Sequence, residues 1–159
     1  KNDVAASVIS LNTIYHIDKK KQFSAIEELY RVLKPEKKLV LVLDWGRNSL
    51  LMNIFLFPFL IYRRVIKWVK SGRNKTVINF NTELYFYAFS YKHYKNSRLF
   101  SQAELRTWRG ISPEFSKLYI HKLLFGKQIL SGIYNLEEKY PHIMGRYGKY
   151  PMFVITKMV

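Results

Sequence analysis

Residues 39–43 form an uninterrupted apolar run, Leu39-Val40-Leu41-Val42-Leu43, which ends at Asp44. Such a run is typical of a parallel strand that is covered on both faces. A helix is predicted before it, because apolar residues recur there at helical spacing: Phe23, Ile26, Leu29, Tyr30 and Leu33. Residues 4–11 form an earlier strand-like run. The order strand, helix, strand predicts a right-handed βαβ unit of an α/β fold.

The predicted unit also indicates where a ligand would bind. In open α/β sheets, ligands bind just beyond the carboxyl ends of the strands. Residues 10–16 cover the end of the first strand and the residues after it, and residues 44–46 follow the second strand. Both segments are therefore expected on the same rim of the sheet.

The rest of the chain predicts further elements. The apolar residues 50–62 indicate an interfacial or buried helix, because thirteen residues are too few for the ~20 of a membrane-spanning helix. We expect a loop at residues 71–74, and a dense run of aromatic residues at 80–94 is expected to pack or to bind a ligand. The remaining predictions are a helix over 102–109 capped by Ser101, a strand over 115–125, a helix over 128–140, a turn-rich stretch over 141–148 and a final strand over 151–156.

Composition limits the classes of function. The chain has 159 residues, no cysteine and a formal net charge of +16, so disulfides and thiolate metal sites are excluded and an anionic partner is indicated. Ten Lys or Arg residues lie between Arg47 and Arg98, against the single acid Glu83. The chain begins at Lys1 and leads almost at once into a strand-like run, so we expect it to be a fragment of a longer protein.

Four segments resemble the class I S-adenosylmethionine (SAM)-dependent methyltransferases, of the type 11 and 12 kind, over their C-terminal half. They are Ser10-Leu11-Asn12-Thr13-Ile14-Tyr15-His16-Ile17, Glu28-Leu29-Tyr30-Arg31-Val32-Leu33-Lys34-Pro35, Phe100-Ser101-Gln102-Ala103-Glu104-Leu105 and Tyr150-Pro151-Met152-Phe153-Val154-Ile155-Thr156-Lys157. The resemblance implies a partial Rossmann-like sheet of parallel strands plus a terminal antiparallel strand. Residues 1–159 would be the C-terminal part of one methyltransferase domain, with residues 47–98 as an inserted helical and aromatic cap that selects the substrate.

The same resemblance implies a site on the rim. Ser10, Leu11 and Asn12 would bind the cofactor SAM, with Tyr15 and Trp45 beside the substrate. His16 is the candidate base, because an imidazole exchanges its proton near neutral pH. The alternative is a structural histidine that is hydrogen-bonded within the protein. Asp44 would orient the substrate or the base, or would simply cap the next segment. No G-x-G-x-G loop is present among the seven glycines, so we expect the isolated chain to bind SAM weakly and to be inactive alone. No metal is expected.

The function predicted on this basis is methyl transfer to a small, possibly lipid-like molecule by a cytoplasmic enzyme. Residues 50–70 combine an apolar run with Arg63, Arg64, Lys67 and Lys70, which suits an anionic membrane surface. The helix would otherwise pack its apolar face on the core.

Two alternatives remain open. One is an RNA-binding protein or RNA methyltransferase that stacks bases on Tyr85, Phe86, Tyr87 or Tyr91, although no recognised RNA-binding signature accompanies them. The other is a membrane-peripheral interaction protein without catalysis.

Overall fold

A computed structural model describes residues 2–70 and 85–158 of the chain. Its strands are β1 (Val8–Leu11), β2 (Lys38–Val42), β3 (Glu104–Arg109) and β4 (Tyr150–Thr156). Its α-helices are α1 (Gln22–Val32), α2 (Leu50–Lys70), α3 (Tyr91–Lys95), α4 (Pro113–Tyr119), α5 (Gly126–Lys139) and α6 (Pro141–Tyr147). Short 3-10 turns lie at Ile14–His16, Gly46–Asn48, Arg98–Phe100 and Lys122–Leu124.

The four strands form one sheet in the order β1-β2-β4-β3. β1 pairs with β2 in parallel, with Val8 opposite Leu39 and Leu11 opposite Val42. β4 is antiparallel to both of its neighbours, so β3 runs in the same direction as β1 and β2. The prediction of an α/β sheet with parallel strands and a terminal antiparallel strand is therefore confirmed.

The core is built on one face of β2. On the other face Val40 is half-buried, and Ile9, which lies opposite it on β1, is 65% exposed, so the expected coverage of this strand on both faces is only partial. Leu39 and Leu41 are fully buried, and they pack in one cluster with Ile26 of α1 and with Phe153 of β4. Tyr94 of α3 belongs to the same cluster. The apolar runs predicted as strands therefore meet the predicted helix in a single hydrophobic core.

The predicted helix over residues 102–109 is wrong, because this stretch is β3. Ser101 and Glu104 have the residue types and spacing of a capping box, but Glu104 instead begins a strand that pairs with β4, opposite Val154. Leu105 is buried while its neighbours Glu104 and Arg106 are exposed, which is the two-residue period of a strand. The free edge of β4 therefore decides the structure of this stretch.

The predicted strand over residues 115–125 is also wrong, because most of it lies in α4 and the turn that follows. Ser112 caps α4 by accepting a hydrogen bond from the Phe115 backbone N–H at 3.2 Å, and Pro113 occupies the first helical turn. Ser112 and Pro113 together are a helix-start signal. The sequence analysis missed it because the apolar residues that follow resemble a strand.

Of the three other assignments in the C-terminal region, two are confirmed and one is not. The helix predicted over 128–140 and the final strand are confirmed by α5 and β4. The stretch predicted as turns contains α6, and its Gly145 lies so close to β3 that an added Cβ would be 2.4 Å from the Arg106 carbonyl oxygen. Glycine therefore serves close packing here rather than a turn.

The aromatic run is only partly inside the described residues. Phe89 is buried in the core, as expected of a packed aromatic, whereas Tyr85 and Phe86 are exposed. The predicted loop at 71–74 and Phe80 lie outside the described residues. The division of the chain into a methyltransferase part and an insertion at 47–98 stays a prediction.

We predict that Leu41→Ala lowers the free energy of unfolding by about 2–5 kcal/mol, because it leaves a cavity beside β2. Ile9→Ala, on the neighbouring strand, is the control, since Ile9 is 65% exposed and its truncation is expected to change stability by about 0.5 kcal/mol or less. Urea denaturation of both variants measures the difference. Equal losses would show that β2 is not the centre of the core.

Candidate functional site

The rim of the sheet is formed where β1 and β2 end. The Asn12 backbone N–H donates to the Val42 carbonyl at 3.0 Å, which extends the parallel pairing one residue past β1. Asn12 then adopts the left-handed region with φ 55°, which asparagine tolerates better than most residues. This conformation turns the chain into the 3-10 turn that carries Tyr15 and His16.

The three residues predicted to bind the cofactor have different environments. The Ser10 and Thr13 hydroxyls share a hydrogen bond of 2.6 Å, which closes the turn. Leu11 is 46% exposed. Asn12 Oδ1 is buried and has no hydrogen-bond partner in the part of the chain that the structure describes. An unpartnered buried acceptor is rare in native proteins. Gln22 Oε1 is a second buried side-chain acceptor without a partner among the described residues.

Tyr15 lies inside the rim. The pKa of its phenol is raised to about 12, mainly by burial and in smaller part by the negative charges of Asp44 and Tyr150. Its ring lies 4.5 Å from the ring of His16 and 5.0 Å from that of Phe86, between centroids. Tyr15 therefore stays protonated at neutral pH and can donate a hydrogen bond but cannot act as a base.

His16 is held by the extended segment at residues 85–90. Its Nδ1 lies 2.9 Å from the Tyr85 carbonyl oxygen, which can only accept, so Nδ1 carries the proton. In the neutral ring the lone pair is then on Nε2. Since the residue is only partly buried, this geometry leaves Nε2 suited to accept a proton from a bound molecule.

Asp44 has its contacts within the protein. Its Oδ1 accepts a hydrogen bond from the Gly46 backbone N–H at 2.6 Å and forms an ion pair of 2.8 Å with Lys149 Nζ. Lys149 Nζ also donates to the Gly46 carbonyl at 3.2 Å. These contacts are those of a residue that caps the following turn, and a role for Asp44 in orienting a substrate stays a prediction.

Trp45 is packed into the core. It is 1% exposed, and its Nε1 donates to the Gly145 carbonyl at 2.8 Å. The indole contacts the rings of Tyr91, Tyr94 and Phe153. Trp45 therefore supports the rim from behind, and the contact with a substrate stays a prediction.

Two residues of this region were missed by the sequence analysis. Lys149 forms an ion pair with Asp44, although the two residues are 105 positions apart in the sequence. Gln22 is fully buried, and its Nε2 donates to the Ile17 and Tyr87 carbonyls at 3.0 and 2.9 Å, which fastens the 85–90 segment over the rim. Gln22 could have been noticed as a polar residue at the start of the amphipathic helix α1. Nothing in the local sequence indicates the role of Lys149.

No group of three or more His, Cys, Asp or Glu residues that could hold a metal ion occurs among residues 2–70 and 85–158. The charged and hydrogen-bonding groups of the rim are instead Asp44, Lys149, Tyr15 and His16, together with the unpartnered amide oxygen of Asn12. This arrangement can accept one proton at His16, whereas the amide oxygen of Asn12 is buried and has no partner among the described residues.

No family model matches the sequence, and no curated protein matches it. Solved structures do match. One is a SAM-dependent methyltransferase from Archaeoglobus fulgidus, with 12% identity, a TM-score of 0.41 and coverage of 98% of this chain and 61% of that one. Another is Haemonchus contortus phosphoethanolamine N-methyltransferase 2 in complex with SAM, with 17% identity, a TM-score of 0.43 and coverage of 100% and 34%. This chain is similar to SAM-dependent methyltransferases. It spans less than two thirds of the length of either structure.

We predict that Tyr15→Phe makes the stability of the protein less sensitive to alkaline pH. A phenol with a folded-state pKa of about 12 ionises first in the unfolded chain, where tyrosine has a pKa of about 10, so stability falls as pH rises above about 10. Removal of the hydroxyl removes this contribution. Urea denaturation at about pH 8 and about pH 10.5 measures it.

Tyr134→Phe is the matched control, because Tyr134 is exposed. Its loss is expected to leave the pH dependence unchanged. If Tyr15→Phe and Tyr134→Phe behaved alike, the Tyr15 hydroxyl would not be held protonated by its surroundings.

Proposed function

We propose that this chain is part of a SAM-dependent methyltransferase that acts on a small, lipid-like acceptor. The observation that carries the proposal is the buried, unpartnered Oδ1 of Asn12 at the end of β1, next to the exposed Leu11. SAM carries amino groups that can donate to such an oxygen. A donor from the ligand would offset the cost of leaving the oxygen without a partner, which is about 1–3 kcal/mol.

The residues present fit one part of the cofactor. Asn12 would accept from an amino group, and the open side chain of Leu11 would cover an apolar part. The cofactor supplies a methyl group on a sulfonium, which is already electrophilic. The protein must then position the acceptor and remove its proton.

His16 is placed for the second of these tasks. The Tyr85 carbonyl fixes the ring through Nδ1 and leaves Nε2 free to take a proton. An acceptor oxygen or nitrogen that receives the methyl group would give up its proton to Nε2 of His16. Tyr15, which stays protonated beside His16, would donate a hydrogen bond to the acceptor or to the cofactor.

A lipid-like acceptor is supported by what adjoins the rim. α2 begins six positions after Asp44, and exposed apolar side chains follow along it. Asn48 Nδ2 donates to the Ala88 carbonyl at 3.3 Å, so the start of α2 and the segment over the rim are attached to each other. An acceptor with an alkyl chain would therefore find an apolar surface beside the proposed site.

Nucleic-acid binding is the alternative. Of the aromatic residues suggested for base stacking, Tyr87 and Tyr91 are partly buried. Tyr85 accepts from the Lys19 backbone N–H through its hydroxyl, and its carbonyl holds His16. These contacts favour a packing role for the segment, and a steep salt dependence of RNA binding would favour the alternative.

The first test is SAM binding by calorimetry, to this chain and to a form extended upstream by about a hundred residues. We expect binding only to the extended form, since the glycine-rich loop that the resemblance implies is absent from residues 1–159. Binding to neither form would favour the non-catalytic interaction protein.

We further predict that Asn12→Gly weakens SAM binding to the extended form about tenfold, the equivalent of one lost hydrogen bond. Glycine keeps the left-handed conformation at φ 55° and removes only the amide. Glu36→Gly is the matched control, because Glu36 also has a positive φ of 61° but lies on the turn before β2. Unchanged affinity in Asn12→Gly would exclude Asn12 from the cofactor site.

A separate prediction concerns the role of His16 as a base. His16→Asn keeps a side-chain N–H near the position of Nδ1 and removes Nε2. In the extended form, the methyl transfer rate is therefore expected to fall about 10²–10⁴-fold with little change in SAM affinity. The assay follows transfer of a labelled methyl group from SAM to a cell lipid extract. His142→Asn, at an exposed position on α6, is the control. An unchanged rate in His16→Asn would remove His16 from the mechanism.

A further inference from the structure

One face of helix α2 packs against the rest of the protein. Met52 is buried with Ile111 and Phe115, and its sulfur accepts from the Ser112 backbone N–H at 3.2 Å. The Tyr119 hydroxyl donates to the Phe55 carbonyl at 2.9 Å. The packed face of α2 is thus fixed on α4.

The opposite face of α2 is also apolar, and it is exposed. Successive spacings of four, three, four, four and three residues place six side chains on one stripe, which we call the α2 stripe: Leu50, Ile54, Phe57, Ile61, Val65 and Trp68. Each is between 46% and 82% exposed, with the maximum at Trp68. At 100° per residue the stripe is centred about half a turn from Met52. A helix that is apolar on all sides is normally buried, so the stripe calls for a further apolar environment.

A second exposed apolar group follows α4 directly. Leu123, Leu124 and Phe125 are 88%, 45% and 72% exposed, and they lie between Lys122 and Lys127. Their position is fixed by the hydrogen bond from the Gly126 backbone N–H to the His121 carbonyl at 3.0 Å, where an added Cβ would lie 2.4 Å from His121 N. We call this group the 123–125 loop.

The backbone of this loop is strained at Phe125. Phe125 has φ 53°, a conformation that costs a bulky residue energy. Neighbouring Tyr119 and Ile120 pack on the same cluster as Met52, together with Leu51 and Leu56 of α2. The loop is therefore attached to the helix that carries the α2 stripe, and three apolar side chains are held out to solvent.

The charged residues nearest to both groups in the sequence are mostly basic. Arg63 and Arg64 are exposed on α2, and Lys117, Lys122 and Lys127 are exposed around the loop. Neither residues 45–82 nor residues 115–136 contain an acidic residue. A second copy of this chain would bring another charge of +16 to the surface, whereas an anionic surface would be attracted.

We propose that the α2 stripe and the 123–125 loop dock the protein on the surface of an anionic lipid bilayer. Apolar and aromatic side chains inserted at the headgroup boundary, with basic residues beside them, are the combination that such surfaces bind. The most exposed residue of the stripe is a tryptophan, which prefers that boundary. None of the helices in the described part of the chain is long and apolar enough to cross a membrane. The docking does not depend on the proposed methyl transfer.

The test is flotation of the protein with vesicles of phosphatidylcholine alone or with about 30% phosphatidylserine. We expect flotation only with phosphatidylserine, and less of it as salt rises from about 0.1 M to about 0.5 M. The triple variant Ile54→Gln, Ile61→Gln, Val65→Gln and the double variant Leu123→Ser, Phe125→Asn are each expected to lower vesicle affinity on the order of tenfold. Arg63→Gln with Arg64→Gln is expected to weaken binding and its salt dependence.

The matched control is the double variant Val4→Gln, Ile9→Gln, which changes apolar residues of similar exposure before β1 and within it. It is expected to float like the unchanged protein, and circular dichroism checks that every variant keeps its helix content. A second measurement uses Trp108→Phe, which leaves only Trp68 and the buried Trp45 as indoles. We expect a blue shift of its fluorescence on phosphatidylserine vesicles and quenching by brominated lipid.

Three results would overturn the proposal. They are flotation of the stripe and loop variants equal to that of the unchanged protein, binding of single-stranded RNA without any binding of vesicles, and a concentration-dependent dimer that the stripe variant abolishes in the absence of vesicle binding. Loss of SAM binding or methyl transfer would leave the flotation results unaffected, so failure of the enzymatic proposal is distinguishable.

Discussion

The rest of the structure depends on the burial of β2 between two partners from opposite ends of the chain. β1 pairs with it in parallel from the N-terminal side, and β4 pairs with it antiparallel from the C-terminal side. Side-chain contacts fasten both ends of this arrangement. At one end, Lys157 Nζ donates to the Leu33 carbonyl at 2.7 Å and the Arg31 carbonyl at 3.0 Å, where it satisfies acceptors at the end of α1. At the other end, Lys149 pairs with Asp44.

The rim inherits its geometry from this pairing. Asn12 and Asp44 follow adjacent strands, and the hydrogen bond between Asn12 N and the Val42 carbonyl holds the two strand ends in register. Gln22 holds the 85–90 segment over the rim through a hydrogen bond to the Tyr87 carbonyl, and the Tyr85 carbonyl of this segment is hydrogen-bonded to His16. The position of His16 therefore depends on a backbone segment 69 residues away rather than on its own strand.

How much of this was predictable differs by element. α1, β2 and β4 carry strong periodic or continuous apolar patterns. They were predicted correctly because burial of one or both faces of an element produces such a pattern within its own sequence. β3 was assigned as a helix because the Ser101–Glu104 spacing is a helix-start signal, while pairing with β4 is decided by tertiary contact. For the same reason the rim residues were predicted as a group, but the contacts of Asp44 with Lys149 and of His16 with Tyr85 were not. Neither pairing has a signature at short sequence range.

The structure of α2 accounts for both interpretations of its sequence, a helix packed on the core and an interfacial helix. The packed face through Met52 satisfies the expectation of a helix on the core, and the α2 stripe on the other side keeps the exposed apolar surface that an interfacial helix needs. A helix with only the first role would carry polar residues at positions such as Phe57 and Ile61. Asn53 Nδ2 donates to the Arg47 carbonyl at 2.8 Å, so the first turns of α2 are fixed close to the residues that follow Asp44. The apolar surface of α2 starts beside the rim and continues to the basic end of the helix. An acceptor with a lipid chain could therefore stay in contact with apolar side chains on its way from a bilayer to the rim. This continuity links the two proposals physically.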